Sequence, residues 1–168
     1  ETTTTASGLS EMILWDFREN APAEFLLDYF GIDAGVIPSL VPTFGFQGEL
    51  TAKAAEELGL ASGTKICYRA GDQPNNAFSL NVLKPGEIAA TAGTSGVVYG
   101  VSDKPSFDQQ SRVNSFVHVT HTKNSPRHGA LLCVNGTGIC NSWLKAHTGG
   151  RLDYQKMNEM ASQVAVGS

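Results

Sequence analysis

Two short stretches of this chain could do chemistry. The first is "CYRAGDQPNNAF", residues 67–78. A short apolar run ends in Ala70-Gly71, one aspartate follows, and Gln73-Pro74 opens an apolar helical pattern. A carboxylate at such a junction has two uses. It can cap the helix by accepting first-turn N–H bonds, worth about 0.5–2 kcal/mol, and meet the positive helix end for about 0.3–1 kcal/mol more. It can also act on a ligand, because α/β proteins bind ligands outside the C-terminal ends of their strands. The second stretch is "TAGTSGVVYG", residues 91–100. Its Gly93-Thr94-Ser95-Gly96 turn is either an ordinary hairpin connection or a concavity of N–H groups that suits a phosphate. Asp72 and Thr94 are 22 positions apart, a span in which one helix returning to a hairpin can bring acid and turn together. An acid beside a phosphate cradle points to phosphoryl transfer to a hydroxyl. The carboxylate takes the hydroxyl proton, and the turn N–H groups hold the migrating phosphoryl.

The elements that must position these groups are legible in outline. "ASGTKICYRAG" reads as a turn and a strand, and a helix follows from about Gln73 to Leu83, closed by Lys84-Pro85-Gly86. "EIAATAGTSGVVYGVS" reads as a hairpin around the Gly93–Gly96 turn. Upstream, "GELTAKAAEELGL" is a helix with Thr51 as cap and Gly59 as terminator. "APAEFLLDYFGI" is a helix with Pro22 in its first turn, a stripe of Phe25, Leu26, Tyr29 and Phe30, and Gly31 at its end. The Thr-rich lead-in is expected to be extended, turning at Ser7-Gly8, and "GVIPSLVPTFGFQGEL" to be a loop or extended connector. Downstream come a strand in "VNSFVHVTHT", a returning strand in "GALLCVNGTG", and a helix in "GICNSWLKAHTG" with Ile139, Trp143 and Leu144 on one stripe and Gly149 at its end. A last helix begins in "RLDYQKMNEMASQV". Strands alternating with helices make the fold class α/β or α+β.

Bulk properties bound the partners. The chain has 168 residues, 41% hydrophobic, with net charge −4, so no electrostatic nucleic-acid partner or basic membrane-binding face is expected. No apolar run approaches the roughly 18–20 residues of a bilayer span. Three cysteines without paired spacing, Cys67, Cys133 and Cys140, argue for reduced thiols and a cytoplasmic setting; Cys67 and Cys133 read as small core residues. His118 and His121 have a metal-like gap, but on an alternating strand they would face opposite ways, so no metal site is expected. Glu11 and Asp16 read as surface acids, and Trp15 and Trp143 as core or cleft-edge aromatics.

"GELTAKAAEELGLASGTKICYRAGDQPNNAFSLNVLKPGEIAATAGTSGVVYGVSDKP", residues 48–105, resembles the central part of the FGGY carbohydrate kinases, closest to their xylulokinase branch. The matching pattern is a Gly-x-Leu helix ending in Gly-Leu, a Gly-Thr strand, Gly-Asp-Gln, an Asn-Ala helix, Pro-Gly, and Gly-Thr-Ser-Gly-Val. "TTTTASGLSEM" and "GICNSWLK" resemble that family's Ala-Ser-Gly segment and Trp-containing helix. Pro74 after Gln73 is a variation on the pattern that fits a first helical turn.

The resemblance implies an α/β fold of the ribonuclease H-like, actin-like ATPase superfamily that holds sugar kinases, Hsp70 and actin. Residues 1–83 would complete a sugar-binding domain and residues 84–168 would begin an ATP-binding domain. Asp72 would be the catalytic base and a sugar contact, and Gln73 a second sugar contact. Gly93 and Thr94, with Ser95 and Gly96, would meet the ATP phosphates, and Gly138 would face the nucleotide. The implied reaction moves the ATP γ-phosphate to a sugar hydroxyl, D-xylulose giving D-xylulose 5-phosphate. Ribulose, gluconate or glycerol as acceptor, or a non-catalytic kinase-like binding domain, are the rivals. Expected partners are a small-molecule sugar and ATP, with Mg²⁺ required but mostly held elsewhere; a homodimer of the full-length protein stays open. The Asp-x-Gly-Thr phosphate loop and the Gly-Gly-Gly adenosine motif are missing here and would lie before Glu1 and after Ser168. On that reading the chain is the middle of a kinase and inactive alone.

Overall fold

The structure is a computed structural model and describes residues 2–148 and 151–167. Gly149, expected to end a helix, lies outside the described residues. The chain divides into two compact units, Glu1–Ala89 with Val98–Leu132, and Ala90–Val97 with Cys133–Ser168.

The first unit opens with β1 (Thr3–Thr4) and α1 (Ala6–Glu11), then β2 (Trp15–Asp16), β3 (Ala21–Pro22) and α2 (Glu24–Phe30). After a 3₁₀ turn come β4 (Ser39–Leu40), β5 (Phe44–Glu49), α3 (Ala52–Leu58), β6 (Lys65–Tyr68) and α4 (Asp72–Ser79). β1 pairs with β4 in parallel, β2 with β3 and β5 with β6 antiparallel. Further along the chain lie β7 (Ile88–Ala92), β8 (Gly96–Ser102) and β10 (His128–Val134), each with residues in both units, and β9 (Asn114–Val117), in the first. They form one four-stranded sheet in the order β7-β8-β10-β9.

α1 forms where the sequence predicts an extended lead-in. Thr5 sits in extended backbone and its Oγ1 accepts the Gly8 N–H at 3.1 Å, which caps the helix. Gly8 conceals the helix in the sequence, because glycine costs about 1 kcal/mol inside one. α1 is tied to β9 by packing and by a hydrogen bond. Leu9, Trp15 and Val117 form a buried cluster, and the Val117 N–H donates to Ser10 Oγ at 2.9 Å. Leu9 is wholly buried, a gain of about 1.5–3 kcal/mol relative to exposure.

Other expectations hold or shift for local reasons. Gly31 and Gly59 end α2 and α3 in left-handed conformation, with φ of 64° and 67°. Thr51 caps α3 through the Ala54 N–H. Pro22 lies in β3 rather than in a helical turn. In α2 the buried residue is Leu27, beside Ala23, while Phe25, Tyr29 and Phe30 are exposed. Periodicity marks several apolar positions there, but only packing selects which of them is covered. α4 stops at Ser79, four residues short of expectation, because Asn81 takes φ 58°. The Asn81 and Val82 N–H groups then donate to the Phe78 and Ala77 carbonyls, a Schellman closure.

The second unit holds α5 (Gly138–Thr148) and α6 (Tyr154–Ala161), the latter capped by Asp153 through the Lys156 N–H. Lys145 Nζ lies 4.2 Å from the Tyr154 ring centre. Ile139, Trp143 and Leu144 share a stripe as expected, but all three are exposed, and Trp143 stacks on His147. Cys67, Cys133 and Cys140 are free and exposed, so the core reading of Cys67 and Cys133 does not hold.

Candidate functional site

In the first unit, Asp72 is the first residue of α4, and it is exposed. The residue before the helix is Gly71, so the helix start has no cap side chain of its own. The capping oxygens come instead from α1. Ser7 Oγ accepts the Gly71 N–H at 3.1 Å, and Glu11 Oε1 accepts the Gln73 N–H at 3.1 Å. Ser7 and Glu11 are four apart, hence on one face of α1. Gly71 leaves the space Glu11 needs, because a Cβ there would stand 2.2 Å from the Glu11 carboxyl carbon.

Glu11 is therefore no free surface acid. Burial pushes its carboxyl above the ordinary glutamate range and the neighbouring Asp72 carboxyl adds to this, while the Gln73 and Asp72 N–H groups oppose it. The sequence offers one signal for this role, the Ser7-x-x-x-Glu11 spacing. It becomes readable only once residues 6–11 are known to be helical.

Glu11 also lines a cavity of about 720 Å³ in the first unit, with Ser10, Trp15, Phe17, Phe107 and Phe116 among its walls. Asp72 and Gln73 do not line it. The same unit holds two buried histidines, His118 and His128, and the half-buried His121. His118 is wholly buried, with Nδ1 3.1 Å from the Tyr99 hydroxyl. His121 Nδ1 accepts the Arg127 N–H, and its Nε2 lies 2.9 Å from Asn20 Oδ1. β9 ends at Val117, so strand alternation does not govern His118 and His121. Burial pushes His118 and His128 down to about 4. Among the described residues no three His, Cys, Asp or Glu side chains gather to hold a metal.

In the second unit, the Gly93–Gly96 turn meets the start of α5. The Gly138 and Ile139 N–H groups donate to the Gly93 and Thr94 carbonyls at 3.0 and 3.2 Å. Thr137 Oγ1 donates to the Gly93 carbonyl at 3.1 Å. Gly138 is forced by crowding, since a Cβ there would come within 2.5 Å of the Gly93 oxygen. Gly96 faces Thr137 in the same way, at 2.7 Å from its Cγ2. Gly93, Thr94, Gly96 and Gly138, far apart in sequence, thus lie at one place. The Gly138 N–H is spent on this contact.

No protein-family model matches the chain. It is 28% identical over 98% of its length to gluconokinase from Bacillus subtilis (strain 168), of which it spans 32%. It is 24% identical over 84% of its length to xylulose kinase from Staphylococcus epidermidis (strain ATCC 12228 / FDA PCI 1200), of which it spans 27%. The structure superposes on ligand-bound xylulose kinase from Lactobacillus acidophilus with a TM-score of 0.84 at 19% identity, covering 98% of this chain and 33% of that one. The chain thus spans about a third or less of the proteins it matches. The chain has the α/β fold of the corresponding third of that structure. No helix among the described residues is long and apolar enough to cross a membrane.

Proposed function

We propose, from the likeness to gluconokinase and xylulose kinase and from the resemblance to the FGGY carbohydrate kinases, that the full-length protein transfers the ATP γ-phosphate to a sugar hydroxyl, D-xylulose being the acceptor. The observation that carries this reading is the start of α4. The Gly71 and Gln73 amides at this start are served by Ser7 and Glu11, so the exposed Asp72 carboxyl is not committed to capping its own helix. It is available as the base that takes the hydroxyl proton, with Gln73 beside it as a sugar contact. The turn Gly93-Thr94-Ser95-Gly96, buttressed by Gly138, is the phosphate-binding element. In the longer protein, residues 1–83 belong to the sugar-binding domain and residues 84–168 to the ATP-binding domain. The compact units of this chain follow a different partition. Mg²⁺ would be required and held mostly by residues elsewhere in the longer protein. The cytoplasm is the compartment consistent with free thiols and with these substrates.

Gluconate is the second reading for the acceptor, favoured by the match to gluconokinase along nearly the whole chain. The test is Asp72→Asn in the full-length protein, assayed with ATP against D-xylulose, ribulose, gluconate and glycerol. We expect phosphorylation to fall about 10²–10⁴-fold with a small change in sugar KM. Retained activity in the variant would remove Asp72 from the base role. The acceptor with the highest kcat/KM in the unaltered enzyme decides between the sugars.

A further inference from the structure

We infer that Glu11 is a positioning residue for Asp72: from α1 it supplies the acceptor for the first turn of α4, which frees the Asp72 carboxyl from capping and fixes the backbone that carries it. This rests on the reading of Asp72 as the base of a sugar kinase. Three observations on different residues support it. An aspartate at the first position of a helix whose preceding residue is Gly71 has orphan N–H groups within its own reach. Those of Gly71 and Gln73 are taken by Ser7 and Glu11, from more than 60 residues upstream. Gly71 has φ −63° and ψ 159°, a conformation open to any residue, so backbone strain does not require glycine here. The volume a Cβ would fill is instead occupied by the Glu11 carboxyl, which could stay there only if residue 71 has no side chain. α1 can place that carboxyl reproducibly because it is anchored elsewhere, by the Thr5 cap, the buried Leu9, and the Ser10 hydrogen bond to Val117.

The role is one of reach, which sets the order of the variants. Glu11→Gln keeps an acceptor oxygen at the same distance and should hold kcat within about threefold. Glu11→Asp keeps the charge but shortens the side chain by one methylene, and Glu11→Ala removes the acceptor. Both leave the Gln73 N–H without its acceptor, and the Asp72 carboxyl then folds back onto it. Displacing a reacting group by about 1 Å can cost 10²-fold, so each should lose at least about tenfold in kcat. The ATP KM should stay unchanged. Gly71→Ala should reproduce the loss by pushing the carboxyl out. In the Glu11→Ala background the same methyl enters vacated space, so the double variant should be little worse than either single one.

The experiment measures kcat, sugar KM and ATP KM per folded active site of the full-length protein, well below each variant's Tm, with Asp72→Asn alongside. A merely structural role for Glu11 would lower Tm and leave kcat per folded site intact. Full kcat in both Glu11→Asp and Glu11→Ala overturns the inference, and so does additivity of Glu11→Ala with Gly71→Ala. If Glu11→Ala fails to fold, Glu11→Asp against Glu11→Gln decides alone. Equal kcat in those two overturns the inference, and a tenfold gap supports it. Loss of activity in Asp72→Asn together with full activity in the Glu11 variants leaves the kinase reading standing without this one. An active Asp72→Asn defeats the kinase base itself.

Discussion

The two helix starts of this chain solve one problem in opposite ways. α4 and α5 each begin at or beside glycine, and each has its first amides served by a distant segment. At α4 the acceptors are side-chain oxygens, a hydroxyl and a carboxyl, reaching across from a neighbouring helix. At α5 they are the backbone carbonyls of the Gly93–Gly96 turn. A side-chain acceptor can be lengthened, shortened or neutralised by one substitution, so it can tune what the helix start presents. A backbone acceptor cannot be edited in that way. It holds the turn in shape, and the only chemistry it demands is the absence of a side chain at Gly138 and room at Gly96. The α4 start is thus suited to orient a reactive group, and the α5 start to keep a loop rigid.

The strongest way to break this contrast is Gly138→Ala. The new Cβ would meet backbone atoms of Gly93 and Thr94, which cannot rotate away, so the turn must move. In the full-length protein we expect ATP-dependent phosphorylation to fall by about 10²-fold, with sugar binding by calorimetry preserved. A variant with normal kinetics would show that turn and helix start are not a rigid pair.

Acid probes the unit that holds α4. The unfolded chain's histidines take up protons near pH 6.5, but His118 and His128 in the folded chain do so only near 4. Stability is therefore fully present above about pH 6.5 and is lost as pH falls toward 4. Tm measured across that range should drop steadily, and His118→Gln should flatten the slope. A flat wild-type profile would contradict the buried neutral state.

A milder change acts on the element behind Glu11. Thr5→Ala removes the wholly buried cap of α1 and should cost about 1 kcal/mol in denaturant unfolding. Some loss of kcat should accompany it if α1 places Glu11. Thr51→Ala is the smallest of the set. It removes an exposed cap from α3, which supplies none of the acceptors at either helix start, and should cost about 0.5 kcal/mol without kinetic effect.

Most of what was legible in the sequence was local. Thr51 and Gly59 bracketed α3, the Gly-Thr-Ser-Gly pattern marked a turn between strands, and Asp72 stood out at a strand-to-helix junction. Each signal is a residue type acting on its own few neighbours. The sequence reading of Asp72 left capping and chemistry side by side, because both follow from the same position.

What only the tertiary structure decided was which groups serve which. Glu11 and Asp72 lie 61 positions apart in the sequence. No local rule distinguishes a surface acid from one that holds another helix's first turn. α1 itself was hidden by Gly8, and with it the Ser7–Glu11 face. Likewise nothing near Gly138 in the sequence says that its missing Cβ makes room for the Gly93 carbonyl. Residue types set the two ends of α3 and the Gly93–Gly96 turn by themselves. The partners of the two helix starts were set by long-range packing, because an orphan amide is satisfied by whichever acceptor the fold brings to it.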